Sequence, residues 1–183
     1  MELGKFVATT IRGYLNEQQI LKDNIIPEFI YIDGEKKYTT NSIGGLISNN
    51  IESIINFYKW FGESKMIDSN KKPIVCYHIS NIDFNEFKPS VFGKMGAGIY
   101  FTSIKNDIKI HNKNDGSTLY KCYLKIENML EIENPFSERT LDNDGIIAFR
   151  GKNGEEIKIY EPNKVKSVEN DGTWDIGNDN IYS

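Results

Sequence analysis

Val75-Cys76-Tyr77-His78-Ile79-Ser80 is a short run of apolar, β-branched and aromatic residues closing on a polar turn, and it reads as a strand. Similar runs recur downstream: Gly98 to Thr102, Leu119 to Ile126, Gly145 to Phe149 and Glu156 to Tyr160, separated by turn clusters. From Pro73 onward this rhythm predicts a mainly antiparallel β-domain with small helical insertions.

Upstream the character is different. Ile51, Ile54, Ile55, Tyr58 and Phe61 lie on one helical face, with Asn49 or Asn50 able to cap it and Gly62 able to stop it. Before it, Phe29 to Ile32 and Lys36 to Thr40 flank Asp33-Gly34, a tight-turn signal between two runs. Thr39 through Ser48 reads as loop. At the start, Leu3, Phe6, Val7, Ile11, Tyr14 and Leu15 form an apolar stripe at helical spacing. Asp171 to Ser183, rich in Asn, Asp and Gly, is expected to be extended. The division expected is a helical extension over 1–37 and a main domain over 38–183.

With 183 residues the chain can bury a real core. No run approaches the roughly 18 uninterrupted apolar residues of a membrane span, so no membrane partner is expected. The start also lacks a basic-then-apolar leader pattern, which makes the cytoplasm the default expectation. A net charge of −4 argues against a dedicated nucleic-acid-binding module. Cys76 and Cys122 sit in apolar strands and read as buried thiols. No metal-ligand spacing appears among the cysteines and histidines, so no metal is expected.

Three segments carry a functional side chain inside or beside an apolar strand: His78 in the first, Tyr100 within Gly96-Ala97-Gly98-Ile99-Tyr100-Phe101-Thr102, and Glu156 in Gly154-Glu155-Glu156-Ile157-Lys158-Ile159-Tyr160-Glu161-Pro162. Taken singly, a strand histidine is usually structural, a strand tyrosine usually core, and a strand glutamate usually solvated. Their order and context together carry more.

In that order the segments resemble the His-Tyr-Glu branch of the ADP-ribosyltransferase superfamily, which includes the poly(ADP-ribose) polymerases and diphtheria-toxin-like enzymes. Within that branch the chain is more similar to the ADP-ribosyltransferase domains of phage and mobile-element polyvalent proteins. Further pieces of the likeness are Tyr38 to Ser42, Phe57 to Gly62, Lys65 through His78, Phe84 to Ser90 and the tail Ile159 to Ile181. The resemblance implies an α+β split β-sandwich of two antiparallel sheets, with flanking helices, an N-terminal helical segment and NAD⁺ held in the cleft as co-substrate.

It also implies roles. His78 would hydrogen-bond the adenosine ribose hydroxyls, and the backbone of Ile79 would hold the nicotinamide carboxamide. Tyr100 would stack on nicotinamide. Glu156 would bind the nicotinamide ribose 2′-hydroxyl and oppose the positive charge of an oxocarbenium-like transition state. Ser80, Gly98 and Phe101 fall in the same motifs. Residues 85–96, with Lys88, Ser90 and Phe92, would form a loop over NAD⁺. Glu155 is the alternative to Glu156, since strand alternation lets one of the pair enter the site. Glu131 and Glu133 resemble an arginine-modifying signature but lack its Ser-Thr-Ser segment, and read as a decoy. Ile79 stands where relatives have glycine, so its side chain is expected to narrow the pocket mouth. His111 stands where polymerase relatives place a second stacking tyrosine, as a substitute ring or as a loop histidine.

Three functions stay open on the sequence. A transferase would pass ADP-ribose, in single units, to an acceptor macromolecule, protein slightly before nucleic acid. An NAD⁺ glycohydrolase would use water instead. A degenerate domain would bind without catalysis. The phage-type likeness implies host modification in the host cytoplasm, with virion delivery as a second route and a phage or host protein as partner.

Overall fold

The computed structural model describes residues 25–93, 95–111, 117–133, 143–149 and 154–183. The amphipathic stripe at residues 3–15 lies outside them. The described chain begins with a hairpin, β1 (Phe29–Ile32) and β2 (Glu35–Tyr38), paired antiparallel. Its turn takes positive φ at Asp33 (51°) and Gly34 (83°), the conformation two-residue hairpin loops require. The expected boundary at 37/38 therefore falls inside β2. Ile30 belongs to the main core and the Tyr58 hydroxyl donates to the Tyr38 carbonyl at 2.6 Å, so the hairpin packs against the same core as the helix that follows.

Helix α1 spans Ile51–Phe61. Asn50 caps it, its side-chain oxygen accepting from the amides of Glu52 (2.8 Å) and Ser53 (3.2 Å), and Gly62 closes it. Its apolar face is aromatic. Phe57 stacks on Phe61 and meets Tyr123 and Trp174 edge-on, and this cluster fixes the helix to the sheet behind it.

Among the described residues seven further strands come after it: β3 (Cys76–Ser80), β4 (Ile99–Phe101), β5 (Thr118–Leu124), β6 (Met129–Ile132), β7 (Gly145–Phe149), β8 (Glu155–Ile159) and β9 (Val165–Ser167). A short helix α2 (Lys105–His111) succeeds β4, and a 3₁₀ turn (Pro162–Lys164) leads into β9. The strands form a three-stranded sheet in the order β3-β5-β9 and a four-stranded sheet in the order β4-β8-β7-β6. The fold is thus α+β, with sheets and flanking helices as expected. One pair departs from the antiparallel expectation: β6 runs parallel to β7. Residues 133–144 separate the two strands, a connection long enough for the crossover that a parallel pair needs.

The two larger sheets are stitched at one seam. Tyr77 and Thr102 exchange backbone hydrogen bonds of 2.8 and 3.1 Å, joining β3 to the end of β4. Ile99, Phe101, Ile157 and Ile159 face the main core from one side of the four-stranded sheet. Its other side carries a smaller cluster of Met95, Ile146 and Ala148, with Tyr100 and Tyr160 packed against it. The tail, expected to be extended, instead loops back on itself, with the Asp171 amide donating to the Tyr182 carbonyl at 2.8 Å and positive φ at Gly172 and Trp174, and it is bound down: Ser167 donates to the Ile181 carbonyl and Ile181 to the Asn85 carbonyl, each at 2.8 Å.

Candidate functional site

His78 and Tyr100 meet beside the seam. The His78 ring lies within 2.8 Å, at Nδ1, of the Tyr100 carbonyl, and is boxed by the rings of Phe87 (5.0 Å), Phe101 (5.6 Å) and Phe84 (6.2 Å). With Nδ1–H donating to that carbonyl, Nε2 of the neutral ring is left as an acceptor. A ligand hydroxyl meeting His78 at Nε2 would therefore be the donor. Burial pushes the imidazole below its ordinary pKa, partly opposed by the carbonyl contact.

That shift has a stability consequence. A histidine whose folded pKa is depressed takes up its proton more readily when unfolded, so its contribution is present above about pH 6.5 and is lost as pH falls from there toward the folded pKa. Urea unfolding at a series of pH values between neutral and mildly acidic is expected to show a steeper loss for wild type than for His78→Gln. Parallel curves would mean that His78 is not the group responsible.

A cavity of about 370 Å³ opens at this point, lined by His78, Ser80, Lys88, Ser90, Gly98 and Tyr100 from the expected set. Ile82, Phe84, Glu86, Phe87 and Ile99 complete it. Glu86 and Phe87 fall within the loop expected over 85–96, whereas Ile82, Phe84 and Ile99 were not singled out; the Phe84–Phe87 pair, aromatic and three apart in a polar stretch, was the available signal for Phe84. Ser90 and Gly98 hold each other through backbone hydrogen bonds of 2.8 and 3.0 Å, fixing both ends of the turn above β4. The Tyr100 hydroxyl donates to the Gly96 carbonyl within that turn.

Other expected residues sit elsewhere. Ile79 pairs with Leu119, and strand alternation carries its side chain to the face opposite His78 and Ser80. It does not line the cavity, so the expected narrowing of the mouth by Ile79 is corrected. Phe101 is buried in the main core, backing His78 from behind the cavity wall. Phe92 is 85% exposed just past Ser90. His111 closes α2, and its side chain lies outside the described residues. Glu131 and Glu133 are exposed at and just beyond the end of β6.

Glu156 pairs with Ala148 on β8, and its Oε2 is buried. It is not among the residues lining the cavity. Tyr100 pairs with Lys158, so alternation sets Tyr100, Lys158 and Glu156 on one face of the four-stranded sheet. Glu155 takes the opposite face, where its Oε1 accepts from the Ser103 amide at 2.7 Å. Among the described residues no group of acidic, histidine or cysteine side chains is arranged to hold a metal ion.

Residues 68–142 match the family described as ADP-ribosyltransferase in polyvalent proteins. The matched segment contains His78 and Tyr100 and ends before Glu156. It supports an assignment to the ADP-ribosyltransferase superfamily and, at that level, ADP-ribosyltransferase activity. No curated protein matches the chain.

Proposed function

We propose that this chain is a phage-type, NAD⁺-dependent ADP-ribosyltransferase that moves single ADP-ribose units to a host macromolecule, protein before nucleic acid, in the host cytoplasm. The reading is carried by one observation: an imidazole and a phenol from separate strands line one cavity within the segment that matches the family. The cavity, about 370 Å³, falls within the range of about 300–1,000 Å³ for small-molecule sites and suits a nucleoside half of the dinucleotide.

In the reaction, the bond between C1′ of the nicotinamide ribose and the ring nitrogen breaks, and nicotinamide leaves neutral with the bonding pair. C1′ gains oxocarbenium character, the acceptor forms the new bond to it, and the acceptor's proton passes to solvent. His78 Nε2 would accept from a ribose hydroxyl, Tyr100 would present its ring to nicotinamide, and the Glu156 carboxylate would oppose the charge developing on the ribose. Lys88 and Ser90, at the cavity wall, are available to the pyrophosphate.

Incubating purified protein with adenine-labelled NAD⁺ and bacterial lysate is expected to release nicotinamide and to leave protease-sensitive label on macromolecules. Free ADP-ribose without labelled acceptor would identify a glycohydrolase instead. No nicotinamide release would overturn the reading.

A further inference from the structure

We propose that Lys158 is a positioning residue of the NAD⁺ site, holding the turn before Tyr100 against the sheet and thereby setting the cavity wall; the inference rests on the NAD⁺ reading above. Lys158 is fully buried, at 0% exposure, although it lies on a strand whose alternation would usually turn such a residue to solvent. A buried ammonium survives only where hydrogen bonds and polarisable neighbours replace its water. Here Nζ donates to the Met95 carbonyl and stands 4.6 Å from the centre of the Tyr160 ring.

The next carbonyl along, that of Gly96, accepts from the Tyr100 hydroxyl. Lys158 and Tyr100 are register partners on β8 and β4, so two facing side chains each grip one of two consecutive carbonyls of the same turn. The far end of that turn is Gly98, which lines the cavity. A Cβ at Gly98 would stand 2.6 Å from Cγ and 2.7 Å from Cδ of Lys158. The lysine stem therefore passes through space that glycine alone leaves open, and the ammonium reaches Met95 along that path. Ser90, paired with Gly98 through the backbone, is held in turn.

Lys158→Met keeps the stem and removes the ammonium. In native-state hydrogen exchange, amides of residues 95–98 are expected to exchange about tenfold faster than in wild type. In steady-state kinetics, KM for NAD⁺ is expected to rise about tenfold with kcat within about threefold, the pattern of a lost binding geometry. A merely structural lysine would instead lower kcat with the folded fraction and leave KM alone. Lys158→Arg, which restores a donor, is expected to hold KM within about threefold of wild type. Should Lys158→Met fail to fold, Gly98→Ala displaces the same stem from the end of the turn and is expected to speed exchange at residues 95–97 likewise.

An unchanged KM in Lys158→Met, or an Arg variant as impaired as the Met variant, would overturn the role. Unchanged exchange at residues 95–98 would overturn it even without any activity measurement. A wild type that consumes no NAD⁺ would instead sink the functional reading, which keeps the two failures apart.

Discussion

A Glu156→Gln variant is expected to lose nicotinamide release by about 10²- to 10³-fold while binding NAD⁺ near wild-type strength. The substitution keeps size and hydrogen-bonding reach but removes the charge that would face the developing cation. Position on β8 is what separates Glu156 from its neighbour. Glu156 shares a sheet face with Tyr100 through the Tyr100–Lys158 and Ala148–Glu156 register pairs. Glu155, 9% exposed, is turned to the other face and spends Oε1 on the Ser103 amide. Glu155→Gln retains an acceptor oxygen for that amide, so its turnover is expected to stay within about threefold of wild type. Nicotinamide release and calorimetric NAD⁺ binding, measured on both variants, decide the matter. The reverse outcome, with Glu155→Gln inactive and Glu156→Gln active, would transfer the role to Glu155.

Trp174→Ala is expected to cost about 3–5 kcal/mol, the range for removing a large buried aromatic. At about 2–4 °C per kcal/mol for a chain of this size, Tm should fall by about 6–20 °C. Trp174 is 2% exposed, with ring centres 4.9 Å from Phe57 and 6.0 Å from both Trp60 and Tyr123. Its Nε1 donates to the Ser53 hydroxyl at 3.1 Å, so the residue ties the tail to α1. It adopts a φ of 52°, uncommon for a bulky side chain, which the packed ring and its hydrogen bond hold in place.

The effect should reach the cavity. Beyond Trp174, the carbonyls of Asn178 and Asn180 accept from the buried Lys166 ammonium at 2.9 and 2.8 Å, and Asn180 bridges to Glu86, a cavity-lining residue. Thermal unfolding with and without NAD⁺ would show both parts, a lower Tm and a smaller ligand-induced rise. A Tm within about 2 °C of wild type would show that the tail is not an integral part of the core.

Local signals were readable where local physics decides. Asn50 and Gly62 bracket α1 because capping depends on a few adjacent residues, and Asp33-Gly34 marks a hairpin because its φ values suit those two residue types. Gly145 to Phe149 is a strand with the bounds its composition implies. Strands β6 and β9 were not read, because neither carries a continuous apolar or aromatic run of the kind that marks β1 and β4, and their pairing comes from long-range partners. The parallel β6–β7 pair is likewise a matter of how distant segments meet. In the candidate site, motif order pointed to His78 and Tyr100, and the cavity brings those two together. Lys158 was not legible, because an alternating charge on a strand looks solvated until a distant turn is seen to cover it. Ile79 misled for the converse reason: adjacency to His78 in sequence means the opposite face in a strand.

The cysteines set a chemical boundary on whatever this molecule does to itself. Cys76 and Cys122 are in-register partners on β3 and β5, both free and wholly buried. Burial pushes both thiols well above their ordinary pKa, with Glu155 adding to the effect at Cys76. No thiolate is presented to an electrophile while the chain stays folded. Any ADP-ribose that the native protein attaches to its own polypeptide must therefore be linked through oxygen or nitrogen, and a sulfur-linked adduct would be a sign that the molecule had opened first.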